Sequence, residues 1–167
     1  MSLWRARDDA AYSEFAAAVT PRLFRSALLM GGDWHLAEDL VQTTLAKLYV
    51  AWPKVDAARS AEAYAMGTLS KTFLSHVRTR RNTERPTLEL GPELADAGDV
   101  SSRLELFDAV RGLEPLDRAV VVLRYWSDLS VDETAKQTGL TSGAVRTRCS
   151  RALARLRDQL SEEGVTR

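Results

Sequence analysis

The chain has 167 residues, 45% of them hydrophobic, with 23 basic and 23 acidic side chains that cancel to a formal net charge of zero. That length allows one or two small domains with compact cores, and no apolar run approaches the roughly 20 residues that cross a bilayer. With no hydrophobic signal segment at the N-terminus, a cytoplasmic protein without membrane insertion is expected.

A single cysteine, Cys149, cannot make an internal disulfide, and His35 and His76 lie far apart without partners, so neither a metal site nor a cofactor is expected. Catalysis has no support either. The sequence offers no glycine-rich phosphate loop, no nucleophile beside a base and no carboxylate pair in an evident pocket. No small-molecule substrate is implied.

The distribution of charge is more telling than its sum. Residues 1–81 carry eleven basic and eight acidic side chains, 82–100 one and five, and 101–167 eleven and ten. An acidic middle therefore separates two segments with local basic clusters, which suggests two contacts with one polyanion.

In chain order, the first helix is predicted from about Asp8 to Leu29, with Tyr12, Phe15, Val19, Leu23 and Phe24 as its apolar positions and a kink or break at Pro21. Gly31-Gly32-Asp33 is a turn. The second helix runs from Leu36 to Trp52 and groups Leu36, Leu40, Val41, Leu45, Leu48, Tyr49 and Trp52 on one side. Glu38, Asp39, Gln42, Thr43 and Lys47 lie largely elsewhere, as either a solvated face or a docking surface. Pro53 to Ser60 reads as a short polar connection. A third helix from Ser60 to about Arg80, with Tyr64, Met66, Leu69, Phe73, Leu74 and Val77, closes a small bundle. Its basic end, Arg78-Thr79-Arg80-Arg81, suits the helix dipole and could equally hold phosphates.

Residues 82–100 contain Pro86, Gly91, Pro92 and Gly98 among five acids and show no sustained period, so they read as a linker. Helices at Ser101–Val110 and Leu116–Trp126 follow, with Pro115 in a first helical turn.

The last third is the most informative. Ser130 with Glu133 has capping-box spacing, and Gly139 suits a left-handed helix end. Ser142 opens a second helix whose apolar stripe is Val145, Cys149, Ala152, Leu153, Leu156 and Leu160. From Ser142 to Arg157 there are five arginines and no acid. At about 100° per residue, Arg146, Thr147, Ser150 and Arg151 fall opposite the stripe, flanked by Arg148 and Arg155. A short helix, a glycine turn and a helix with arginines and hydroxyls outward describe a helix-turn-helix suited to the DNA major groove. Arginine reaches guanine edges bidentately, and the flanking arginines can hold phosphates. A solvated basic helix is the plainer alternative.

Three stretches carry a family resemblance: Ala37-Glu38-Asp39-Leu40-Val41-Gln42, then Leu116-Asp117-Arg118-Ala119-Val120-Val121-Val122-Leu123-Arg124-Tyr125-Trp126, then Gly143-Ala144-Val145-Arg146-Thr147-Arg148 through Ser150-Arg151-Ala152-Leu153. In this order they resemble the signatures of bacterial ECF sigma factors, most closely the short actinobacterial SigE-family type. The resemblance implies an all-α fold of two small helical domains. These are a three- to four-helix sigma region 2 bundle over residues 1–81 and a four-helix sigma region 4 with the helix-turn-helix over 101–167, joined by the acidic flexible linker 82–100.

By position, the resemblance implies that Asp39, Leu40, Gln42 and Thr43 grip the clamp helices of the polymerase beta-prime subunit. It assigns Trp52, Val55, Lys71, Arg78, Arg80 and Arg81 to the minus-10 DNA, and Arg146, Thr147, Arg148, Ser150, Arg151 and Arg155 to the minus-35 DNA. The implied partners are the RNA polymerase core, through the clamp and the beta flap, and promoter DNA. An anti-sigma factor is common in the family. The chain departs from the family at Lys71, where asparagine is usual, at Ala65 to Gly67, where arginines are common, and at His76, near which a tryptophan is common. Lysine has donors only, so it cannot offer a base edge the donor and acceptor of an amide. Two other functions stay open: a self-contained helix-turn-helix regulator binding palindromic operators, and an interaction protein that occupies the clamp or an anti-sigma partner.

Overall fold

The computed structural model describes residues 3–80 and 100–165, and every element in these ranges is helical. The N-terminal half contains α1 (Leu3–Gly31), α2 (Trp34–Val50), α3 (Trp52–Asp56) and α4 (Ala61–Arg80). The C-terminal half contains α5 (Val100–Arg111), α6 (Pro115–Val121) with a π-helical turn over Val122–Trp126, α7 (Val131–Thr138) and α8 (Ser142–Val165). The acidic linker expected over 82–100 lies, but for its last residue, outside the described residues, as does Arg81.

Pro21 does not break α1. A proline removes the hydrogen bond to the carbonyl four residues back, and here both Pro21 and Ala17 lie on the exposed side, where water can satisfy that carbonyl. Val19 and Leu23, on the inner side, are buried and hold the helix to the core across the defect. At the next turn Gly32 adopts φ +74°. Asp33 then caps α2, its Oδ2 accepting from the Leu36 N–H at 3.0 Å.

The connection expected over Pro53 to Ser60 begins as a helical turn instead, α3. Pro53 has no N–H with which to continue the ladder of α2, so the chain re-enters a helix at a new angle, with the proline in its first turn. Trp52 and Val55 thereby swing into the core while Pro53, Lys54 and Asp56 remain exposed. The Trp52 ring packs against Tyr12 and Phe15, with centroids 5.4 and 5.3 Å away. Ser60 caps α4 through a 3.1 Å bond from the Ala63 N–H.

The helix expected from Leu116 to Trp126 begins one residue earlier, on Pro115, and widens at its end. The Ser127 N–H reaches back to the Val122 carbonyl at 2.9 Å, a spacing of five residues. Arg124 Nη1 donates to the Leu129 carbonyl at 2.5 Å and fastens the loop that follows.

The two halves share a core. The cluster built on Leu23, Met30, Leu48, Met66, Leu69 and Phe73 continues into Phe107, Ala119, Val122, Leu123 and Leu129 of the C-terminal half. Smaller clusters seat α8: Ala152 and Leu156 pack with Val110, Leu113 and Val121, and Val145 and Cys149 with Val120 and Ala135.

Candidate nucleic-acid and polymerase interfaces

The helix-turn-helix is assembled from local bonds that the sequence dictates. The Ser130 N–H donates to Glu133 Oε2 at 2.7 Å and the Glu133 N–H to Ser130 Oγ at 3.1 Å, a complete capping box. These bonds from the Ser130 backbone and hydroxyl hold the Glu133 carboxyl below its usual range, and Arg59 adds to the effect. Gly139 ends α7 at φ +72°; a β-carbon there would meet nothing within 4 Å, so the backbone conformation alone calls for glycine.

Thr141 caps α8 by accepting from the Ala144 N–H at 3.1 Å. Ser142 instead ties the two helices together, its hydroxyl donating to Asp132 Oδ1 at 2.6 Å. The pattern Thr141-Ser142-Gly143-Ala144 carried the capping signal at Thr141, one residue earlier than the expected start.

On α8 the inner stripe of Val145, Cys149, Ala152 and Leu156 is buried. Burial pushes the Cys149 thiol up, which suits a small apolar filler. Arg146, Thr147, Ser150, Arg151 and Arg155 are all exposed, as the 100° spacing predicts. Arg148 differs. Expected to flank the reading face, it turns inward, and its Nη1 donates to Asp117 Oδ1 of α6 at 2.6 Å. It braces the recognition helix. Asp117, the missed partner, lies 31 residues away and gives no periodic signal.

In the N-terminal half, Asp39, Gln42 and Thr43 are exposed on α2. Leu40 is not on that surface: it is 2% exposed and belongs to the core. Beside this face an open groove between α2 and α4 is lined by Asp39, Thr43, Lys47, Thr72, His76 and Thr79, among others. Lys47 Nζ donates to Thr72 Oγ1 across it at 3.0 Å. Burial holds His76 below the usual imidazole range, Arg80 reinforces the shift and Asp39 opposes it.

Of the residues expected at minus-10 DNA, Lys71, Arg78 and Arg80 are exposed. Trp52 and Val55 are 7% and 0% exposed. In this arrangement they support the α3 turn from inside and are not free to stack on a base. The side of α4 next to Lys71 is covered by the C-terminal half. A β-carbon on Gly67 would lie 2.2 Å from the side-chain Cδ of Gln137 on α7, and the Arg118 guanidinium sits 5.8 Å from the centroid of the buried Phe73 ring. Among the described residues no group of His, Cys, Asp and Glu could hold a metal ion, and no helix is long and apolar enough to cross a membrane.

The Sigma-70 region 2 family matches residues 15–83, from α1 through α4, and the Sigma-70 region 4 family matches residues 103–156, through the helix-turn-helix. The chain is 38% identical over 152 residues to the RNA polymerase sigma-E factor of Streptomyces coelicolor, covering 89% of this chain and 85% of that protein. It belongs to the ECF sigma factors of RNA polymerase. Another ECF sigma factor, SigL of Mycobacterium tuberculosis, is 35% identical over 168 residues, 95% of this chain and 91% of the relative. In fold this sigma factor is similar to RpoE of Bartonella quintana, solved in complex with the anti-sigma factor NepR; the TM-score is 0.79 at 24% identity, over 90% of this chain and 97% of that one. ECF sigma factors bind core RNA polymerase and promoter DNA, and the family initiates transcription without being catalytic itself.

Proposed function

We propose that this sigma factor divides its work at the linker: residues 1–81 act as region 2, on core polymerase and the minus-10 element, and residues 101–167 as region 4, on the minus-35 element. The observation that carries the reading is the arc of α8. Arg146, Thr147, Ser150 and Arg151 stand exposed together on a helix whose other side is locked into the core, and whose start is fixed by Thr141 and the Ser142–Asp132 bond.

Arg146 and Arg151 supply bidentate donors for base edges, Thr147 and Ser150 supply hydroxyls, and Arg155 reaches phosphate. Arg148 serves by holding α8 to α6. In the N-terminal half, exposed Asp39, Gln42 and Thr43 offer acceptors and donors to the polymerase clamp, with Leu40 anchoring them from below. Lys71, Arg78 and Arg80 line the strand side of α4 and its end, where they hold phosphates, and Arg81, next in the sequence, is given the same role. Docking both halves on one polymerase converts the second DNA contact into an intramolecular one and raises its effective concentration. The beta flap is the proposed partner of the C-terminal half, and work on polymerase places the protein in the cytoplasm. The complex formed by the Bartonella quintana relative favours an anti-sigma factor as a further partner.

Competition binding of holoenzyme to promoters substituted base by base tests the assignment. Arg151→Ala should lose about 1–3 kcal/mol of discrimination at one or two upstream base pairs. Equal weakening on every sequence would reduce Arg151 to a phosphate contact.

A further inference from the structure

An imidazole and a carboxylate of the docking face line the same groove between α2 and α4. Asp39, Thr43 and Lys47 recur at helical spacing on α2, and Thr72, His76 and Thr79 do so on α4, so the two helices turn these side chains toward one opening of about 270 Å³. Among the described residues Asp39 is the groove's only carboxylate, and it belongs as well to the exposed Asp39–Gln42–Thr43 face. We infer that His76 is a positioning residue for polymerase docking: neutral, it leaves the Asp39 carboxylate turned outward to polymerase, and protonated, it draws that carboxylate into the groove. The inference rests on the assignment of the α2 face to the polymerase clamp made above.

The ring is placed to respond to a proton. Its Nε2 is buried and has no hydrogen-bond partner among the described residues. A neutral imidazole can leave a bare nitrogen there, whereas both nitrogens of an imidazolium donate, and a buried donor without an acceptor is costly. Within the groove Lys47 cannot accept, and the Thr72 hydroxyl is already engaged: it takes a bond from Lys47 Nζ at 3.0 Å and gives one to the Thr68 carbonyl at 2.8 Å. Asp39 supplies both an acceptor and the charge that matches an imidazolium.

The charged groups around the ring set the direction. Asp39 and Lys47 line the groove from α2, and Arg80 follows His76 one turn along α4. Burial and Arg80 favour the neutral ring, and Asp39 opposes them. The imidazole is therefore neutral at pH 7 and takes up its proton below the ordinary histidine pKa of about 6.5. An Asp39 engaged by polymerase no longer favours the imidazolium, so docking and protonation oppose one another by linkage. Docking is complete at neutral pH and is lost as pH falls through the folded value.

The test uses the full chain and immobilised core polymerase, with affinity measured from about pH 7.5 to about pH 5.5, across the histidine range and where thermal melts show the chain folded. Parent affinity should fall at least about fivefold, while that of His76→Gln should change by less than about twofold. Equal loss in His76→Gln would overturn the inference. Asp39→Asn should bind weakly at both ends of the range. If it binds like the parent at neutral pH, the docking assignment of the α2 face fails and the inference with it. A second measurement needs neither polymerase nor a His76 variant. His35 and His76 are the chain's two histidines, so His35→Gln leaves one imidazole whose ring protons report its titration by NMR. Asp39→Asn in that background should move the titration to lower pH. An unmoved titration would overturn the inference even with the docking assignment intact.

Discussion

The Arg148 guanidinium lies 2.6 Å from the Asp117 carboxylate, so this arginine of α8 is tied to α6 while its neighbours Arg146 and Arg151 stand exposed. The pair is partly buried, Asp117 more so than Arg148, and removing one partner leaves the other desolvated and unpaired. Arg148→Ala should therefore cost about 1–3 kcal/mol of folding stability, seen as a lower urea midpoint. Arg146→Ala, fully on the exposed arc, should stay within about 0.5 kcal/mol of the parent. A stable Arg148→Ala protein with weakened DNA binding would return Arg148 to the DNA face.

The capping box makes a pH-dependent contribution whose sign is set by Glu133. Its carboxyl titrates below the ordinary range because Ser130 donates to the ionised form. That stabilisation is present above the ordinary carboxylate pKa of about 4.3 and is lost as pH falls through the lower folded value. The stability advantage of the parent over Glu133→Gln should accordingly be present at pH 7 and shrink in acid. Ser130→Ala should cost about 0.5–2 kcal/mol at neutral pH. Urea titrations across pH check both, and a Glu133→Gln deficit that grows on acidification would contradict the assigned direction.

On α2 the exposed and buried neighbours separate docking from folding. Asp39→Ala with Gln42→Ala should weaken retention by core polymerase while leaving the thermal transition in place, because both side chains face solvent. Leu40→Ala should instead lose about 2–5 kcal/mol of stability. Unchanged polymerase affinity in the double variant would remove this face from the docking surface.

Much of the fold was legible because its signals are local. Ser130, Glu133 and Gly139 act within one or two turns of themselves, and the outward arc of α8 follows from helical spacing alone. What stayed hidden depends on distant parts of the chain. Leu40, Trp52 and Val55 sit among the expected site positions, but their apolar side chains are drawn inward by a core the motif does not display. Asp117 meets Arg148 across 31 residues, and the seat of Gln137 on Gly67 couples helices from opposite halves. A glycine in mid-helix is costly, and Gly67 was the one local sign that something approaches α4 closely.

Run-off transcription of total genomic DNA, with purified core polymerase in the presence and absence of the chain and with sequencing of the transcript 5′ ends, addresses the central claim most directly. Addition of the chain should produce new 5′ ends that share two upstream elements, and Arg151→Ala should relax the upstream one alone. Binding to polymerase with 5′ ends no different from those of core enzyme by itself would contradict the account.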